Sequence, residues 1–234
     1  MIATGLVAVL LFCGFVALGV WQVQRLAWKT ELIAQVEARV HASPAPAPGP
    51  AAWVHVDRAR DQYRRVTLRG FFQHDRETRV QAVTDLGAGF WVMTPLRTDR
   101  GFTVFVNRGF VPPERREPAS RPAGQAEGEQ TVVGLLRITE PGGGFLRRND
   151  PARDRWYSRD VPAIAKARGV GATAPYFVDA DATPNAGGWP RGGLTVIRFS
   201  NNHLMYAVTW FGMAGLTLVG FGVFLRERRR RRPT

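Results

Sequence analysis

The 234-residue chain is nearly devoid of cysteine: one thiol, Cys13, sits inside an apolar run. That removes disulfide frameworks, CxxC redox motifs, thiolate metal clusters and copper chaperoning through paired cysteines. Acidic residues are few beside basic ones, 19 Asp and Glu against 32 Lys and Arg. Among residues 1–24 no side chain is charged at all. The catalytic signatures are missing too: no GxSxG, no GxxxxGK[ST] and no GxGxxG after a strand, while the carboxylates are scattered. An enzyme has little support. Of the four histidines, His41, His55 and His74 lack the i+2 or i+4 partner of a metal site and are expected at the surface. The 25 glycines and 16 prolines exceed the usual share but stay short of a low-complexity composition, so a loop-rich globular body is expected.

Against these absences stand two long hydrophobic runs. Ile2 to Trp21 is apolar over the roughly 20 residues that a helix needs to cross hydrocarbon. A signal peptide would carry a basic lead and a shorter apolar core; Ala17-Leu18-Gly19 is the one place compatible with cleavage. Leu204 to Leu225 is the second run, and the arginine-rich tail RERRRRRPT follows at once. A basic tail invites a nucleic-acid reading, but behind a membrane span it is expected as a cytoplasmic anchor, with no nucleic-acid partner. The positive-inside rule then places both termini in the cytoplasm and everything between the spans in the periplasm or its equivalent.

Beyond the first span, Trp21, Arg25, Trp28 and Leu32 keep helical spacing, which predicts a helix running on to about Val40. It ends where ASPAPAPGPAA begins, since repeated prolines lack the backbone donor. From Tyr63 the period changes to 2: RVTLRGF, TRVQAV, FWVMTPLRT, FTVFVNRG, TVVGLLRIT, PYFVDA and LTVIRF read as strands, with Asp99-Arg100-Gly101 as a tight hairpin turn and Val161 to Arg168 as a helix. The expected fold is a membrane protein with two transmembrane α-helices flanking a mainly antiparallel, β-rich α+β domain, a sandwich or partly closed barrel. The expected organisation is a first transmembrane helix (1–24), a helical extension (25–41), a Pro/Ala-rich linker (42–62), a periplasmic β-rich domain (63–200), a second transmembrane helix (203–225) and an Arg-rich cytoplasmic tail (226–234).

His203 opens the second span. At 100° per residue it shares a face with Tyr206, Ala207, Trp210, Ala214 and Thr217, while Gly212, Gly215, Val219 and Gly222 lie roughly opposite. The glycine face suits close packing against the first span, through Thr4/Ala8 and Cys13/Ala17, which leaves the His/Tyr/Trp face for something else. An imidazole there could ligate a haem iron, with Ala207 and Ala214 making room for the macrocycle and Arg25 and Arg198 near its propionates. An aromatic belt at headgroup level is the alternative. Asn107-Arg108-Gly109 reads as turn chemistry at a strand end before it reads as a binding motif.

Four blocks carry a resemblance: LGVWQVQRLAWK (18–29), NRGFVP (107–112), GGWPRGG (187–193) and NNHLMYAVTWF (201–211), supported by the YRRVTLRGFF and FWVMTPL strands. In order and spacing they resemble the surfeit locus protein family of cytochrome c oxidase biogenesis factors over nearly the whole chain. Two features depart from the pattern: the lead before the first span is almost absent, and the stretch after Pro44 is looser. The resemblance implies a multi-pass protein of the bacterial inner membrane that is not an enzyme. It implies haem A as a transient cofactor, bound and presented for insertion into cytochrome c oxidase subunit I, with haem A synthase a further partner beside the lipid bilayer. By the match at NNHLMYAVTW the haem-iron ligand falls on His203, with Tyr206, Trp210 and Arg25 as cofactor-binding neighbours. The competing functions are a cofactor-free membrane scaffold that steadies apo-oxidase subunits and a membrane-anchored hydrolase.

Overall fold

The computed structural model describes residues 2–197 and 199–231, and divides into two compact units, 1–35 with 197–234 and 36–196. The first unit is two helices, α1 (Ile2–His41, whose last turns belong to the second unit) and α4 (His203–Arg230). Both are long and apolar enough to cross a membrane. Leu6, Val7, Leu10, Leu204, Val208, Leu216 and Leu218 are exposed around them. So much bare apolar surface on the outside of a helix pair calls for lipid as its solvent.

The second unit is built of β1 (Ala45–Pro46), α2 (Arg58–Asp61), β2 (Arg65–Phe72), β3 (Thr78–Thr84), β4 (Gly87–Thr98), β5 (Thr103–Val111), β6 (Gln130–Ile138), β7 (Gly143–Gly144), β8 (Arg147–Arg148), α3 (Val161–Ala167) and β9 (Thr173–Ala180). The main sheet runs β1-β2-β6-β9-β5-β4-β3, and β2 pairs a second time with β4, so that β2, β6, β9, β5 and β4 close into a five-stranded barrel. Closure depends on β4. A register shift between Trp91 and Met93 bends it, so that its start pairs with β3 and its end, Leu96 to Thr98, reaches Phe72 to Gly70. Gly70 permits that crossing, because a Cβ there would lie 2.1 Å from the Arg97 carbonyl oxygen.

Alternation along the strands fills two cores. Val66 and Leu68, Leu96, Val104 and Val106, Leu136, and Tyr176 and Val178 come from all five barrel strands and form its interior. Met93, Phe105 and Phe177 face outward, where Val80, Trp156 and Val161, Ile164 and Ala165 of α3 cover them. The α3 helix starts where expected, because the Asp160 carboxylate accepts the Ala163 N–H at 3.2 Å. β5 lies between β4 and β9 and is buried along its whole length, which explains its nearly continuous apolar run.

Three expectations change. The proline-rich segment 42–62, expected as a linker, contributes a short strand: β1 pairs in parallel with Val66 and Thr67, and Ala47 is 1% exposed. The Tyr176 hydroxyl donates to the Pro48 carbonyl at 2.6 Å, Arg100 donates to the Ala47 carbonyl at 2.7 Å, and Trp53 sits edge-on to Phe102. Proline carbonyls still accept although the ring removes the donor, so the segment straps one end of the barrel. Second, Leu194 to Ile197 forms no strand, and Thr195 instead turns its hydroxyl onto Asp179 at 2.9 Å. Third, Asn107-Arg108-Gly109 lies inside β5 and not in a turn.

Candidate functional site

Within the helix pair, the side of α1 that carries Gly5, Ala8, Phe12, Phe15, Gly19, Gln22 and Leu26 is less exposed than its other faces. On α4 the same is true of His203, Ala207, Trp210, Ala214, Thr217 and Phe221. Both sets repeat at alternating steps of three and four, the spacing of a left-handed two-helix seam. Contacts confirm the antiparallel match: Gln22 meets His203, Phe15 stacks on Trp210 with ring centroids 5.8 Å apart, and Gly5 lies beside Phe221.

This reverses the expected packing of α4. Gly212, Gly215, Gly220 and Gly222 have nothing within 4 Å of where a Cβ would stand, whereas Ala207 and Ala214 are buried against α1. The glycine that brings the helices together is Gly19 of α1, whose Cβ would lie 2.6 Å from the Phe211 ring. The aromatic rings of α1 need shallow positions opposite them, and alanine provides these on the same face as His203. A macrocycle therefore does not lie in the Ala207/Ala214 stripe, because α1 already fills it.

His203 is held in a defined way. Its Nδ1 is 2.7 Å from Oε1 of Gln22, and Gln22 is buried, at 8% exposure. With the amide oxygen accepting, Nδ1 carries a proton, and of the two tautomers of a neutral imidazole this is the one that leaves the Nε2 lone pair for a metal. Sequence reasoning missed Gln22, although of the two neutral amides near the end of the apolar run, Gln22 and Gln24, it is the one on the seam face. Trp210 belongs to the seam with Phe15, while Tyr206 is exposed. Arg25 is exposed and lies over the Trp28 ring at 4.8 Å. Arg198 lies outside the described residues.

In the β domain, β5 presents Asn107 and Arg108 to opposite sides, as the pleat requires. Asn107 joins a buried network in which Asp179 accepts from Asn107 Nδ2 (2.8 Å), Arg137 Nη1 (2.7 Å), Arg159 Nη1 (3.0 Å) and Thr195 (2.9 Å). Glu140 receives Arg159 as well, and Arg159 stacks on Phe177 at 4.7 Å. Carboxylates outweigh burial at Arg159, whose guanidinium is held above its ordinary value. Charges balance here and every Asp179 contact is made, which marks a structural brace. Gly109 follows at φ 126°, a left-handed conformation that a side chain resists, and its would-be Cβ meets the Arg191 carbonyl at 2.1 Å. His74 is half-buried and not at the surface: its Nε2 pairs with the Ala126 carbonyl at 3.0 Å, and burial foremost lowers its pKa. Among the described residues no group of three or more His, Cys, Asp or Glu could hold a metal ion.

Comparison with known proteins bears on the whole chain. The rat and human Surfeit locus protein 1 are each 39% identical to it over 227 residues; the rat match spans 90% of this chain and 72% of the relative, the human one 89% and 73%. The Takifugu rubripes protein of the same name is 36% identical over 230 residues, spanning 90% of this chain and 92% of its own. Residues 9–215 match the model of the SURF1 family, a range that takes in Gln22, the barrel and the first half of α4 with His203. The chain belongs to the SURF1 family.

Proposed function

We propose that this chain is a cytochrome c oxidase assembly factor that binds haem A through His203 and presents it for insertion into oxidase subunit I. In this reading it works in the bacterial inner membrane, with both termini cytoplasmic and the β domain periplasmic, as a binding protein and not a catalyst. The observation that carries it is the Gln22–His203 pair. A buried amide that fixes the imidazole tautomer through one nitrogen leaves the other as a ligand, the arrangement found behind metal-bound histidines. The residues thus fit a haem iron at Nε2, and the bound group would supply the redox centre that the oxidase needs. Tyr206, exposed one turn on, offers an aromatic face and a hydroxyl beside it, and Arg25 a cation for a propionate. Trp210 acts behind them by locking the seam against Phe15.

The test is a pyridine haemochrome spectrum of the purified protein from a host that makes haem A, beside His203→Ala and Gln22→Leu. Haem A in the parent, none in His203→Ala and a roughly 10–100-fold weaker affinity in Gln22→Leu is the expected result. A second reading has one observation in its favour, the direct packing of α1 over the Ala207/Ala214 stripe. If the parent holds no haem and His203→Ala leaves oxidase levels unchanged, the chain is a cofactor-free scaffold that steadies apo-oxidase subunits.

A further inference from the structure

The strap closes one end of the barrel; at the other end stands Arg108. It follows Val104 and Val106 on the inward face of β5, is 2% exposed, and lies under the Phe72 ring at 4.8 Å. Nη2 donates to the Gly124 carbonyl and to Asn185 Oδ1, but Nε and Nη1 have no partner among the described residues. The one carboxylate that acts on it, Glu77, is already paired with Arg121, with both side chains 2% exposed. Glu77 therefore faces two guanidinium groups, and the cluster keeps one surplus positive charge. Burial, foremost, lowers the Arg108 guanidinium to about 10. Other polar atoms of the cluster are unmatched on both sides: Arg121 Nη1 and the Gln125 amide nitrogen among the donors, and Glu77 Oε2, Gln125 Oε1, Gln73 Oε1 and His74 Nδ1 among the acceptors.

Arg108 lines a cavity of about 240 Å³ at this mouth of the barrel. Its wall is mixed, with Phe72, Val106 and Val132 on the apolar side and Gln130, Thr131 and Asn185 on the polar side. Asp181 also borders it, and one oxygen of its carboxylate accepts the Thr183 N–H at 3.0 Å. We propose that this mouth is a binding site for an aliphatic monocarboxylate, whose head pairs with the Arg108 guanidinium in its wall and whose chain lies along Phe72, Val106 and Val132. One negative charge offsets the surplus, and charge-assisted bonds of this kind are the strong ones in a desolvated site. The volume leaves room for a short aliphatic chain, and a chain of about six carbons is the probe.

The proposal is independent of haem and is tested on the full chain in nanodiscs by titration calorimetry with hexanoate, with hexanol and inorganic phosphate alongside. Saturable hexanoate binding, with neither hexanol nor phosphate competing, is the expected result, and Arg108→Met should weaken it at least about tenfold. Should Arg108→Met fail to fold, Ala186→Trp plugs the cavity from an exposed loop position, leaves the guanidinium in place and should also abolish binding. No hexanoate heat at millimolar concentration, tighter binding of phosphate, or full hexanoate affinity in Ala186→Trp would each overturn the site as described.

Discussion

Replacing Asp179 by Asn tests whether the brace on the outer face of the barrel is structural. The carboxylate, 3% exposed, is the shared acceptor for Arg137 and Arg159, each 12% exposed. Without its charge, two buried guanidinium groups are left with Glu140 alone, and the Asn107 and Thr195 bonds weaken with them. Removing one partner of a buried ion pair costs about 3–5 kcal/mol, a large share of the roughly 5–15 kcal/mol that a domain holds in total. For a chain of this size that corresponds to a fall in Tm of about 6–20 °C. The assay is near-UV circular dichroism during thermal unfolding in nanodiscs of fixed lipid composition, where Trp91 and Trp156 report on packing beside the brace. A double variant, Asp179→Leu with Arg159→Met, restores charge balance by leaving Arg137 to Glu140, so it should unfold at a higher temperature than Asp179→Asn. A Tm within the scatter of the parent, or a double variant no better than the single one, would refute the reasoning.

Gly70→Ala should open the β2–β4 seam, because the new methyl meets backbone that cannot yield; a loss of about 1–3 kcal/mol or more is expected in urea unfolding, with amide exchange fastest at Gly70 to Phe72. Trp156→Ala removes a side chain that is 1% exposed between Val80, Phe177 and α3, and should cost about 3–5 kcal/mol by the same measurement. Asp154 gives a pH signature. Burial raises its pKa, but the bonds from Arg168 and Trp156 and the charge of Arg79 outweigh it, so the folded value lies below 3.8. The stabilisation from that carboxylate is present above the unfolded pKa and lost as pH falls through the lower folded one. Asp154→Asn should therefore be less stable than the parent at neutral pH and flatten the acid limb of a stability-versus-pH curve below about pH 4; an unchanged limb would sink the assignment.

Period-2 patterning made six strands of the main sheet legible, the five of the barrel and β3, because each has at least one face in a core, and the apolar runs made both spans legible because lipid tolerates little else. What the sequence concealed was pairing. Leu194 to Ile197 has the composition of a strand, but β5 is already flanked by β4 and β9, so the segment supplies Thr195 to Asp179 instead. Prolines in 42–62 argue against a ladder, yet the Ala47 N–H still donates to the Thr67 carbonyl and the Pro48 carbonyl accepts from Tyr176. The α4 glycines look like a contact face, but a helix contact is chosen jointly, and the rings of Phe12 and Phe15 on α1 select the alanines. His203 was visible as a polar group opening an apolar helix, whereas Gln22 gains its meaning only from a partner 181 positions away. Arg108 was visible as a letter in NRGFVP; its burial followed from a barrel mouth that no local pattern encodes.

Adjacent positions on β5 carry incompatible chemistries: Asn107 belongs to the balanced network around Asp179, and Arg108 to the positively charged mouth. A slip of β5 by one residue between β4 and β9 would send each to the opposite face, stranding a guanidinium against Phe177 and Trp156 and leaving Asp179 without its amide. In a wholly apolar strand such a slip exchanges one hydrophobe for another at small cost. Here it separates charges from their partners, so the two polar neighbours act as a check on strand register while the barrel closes.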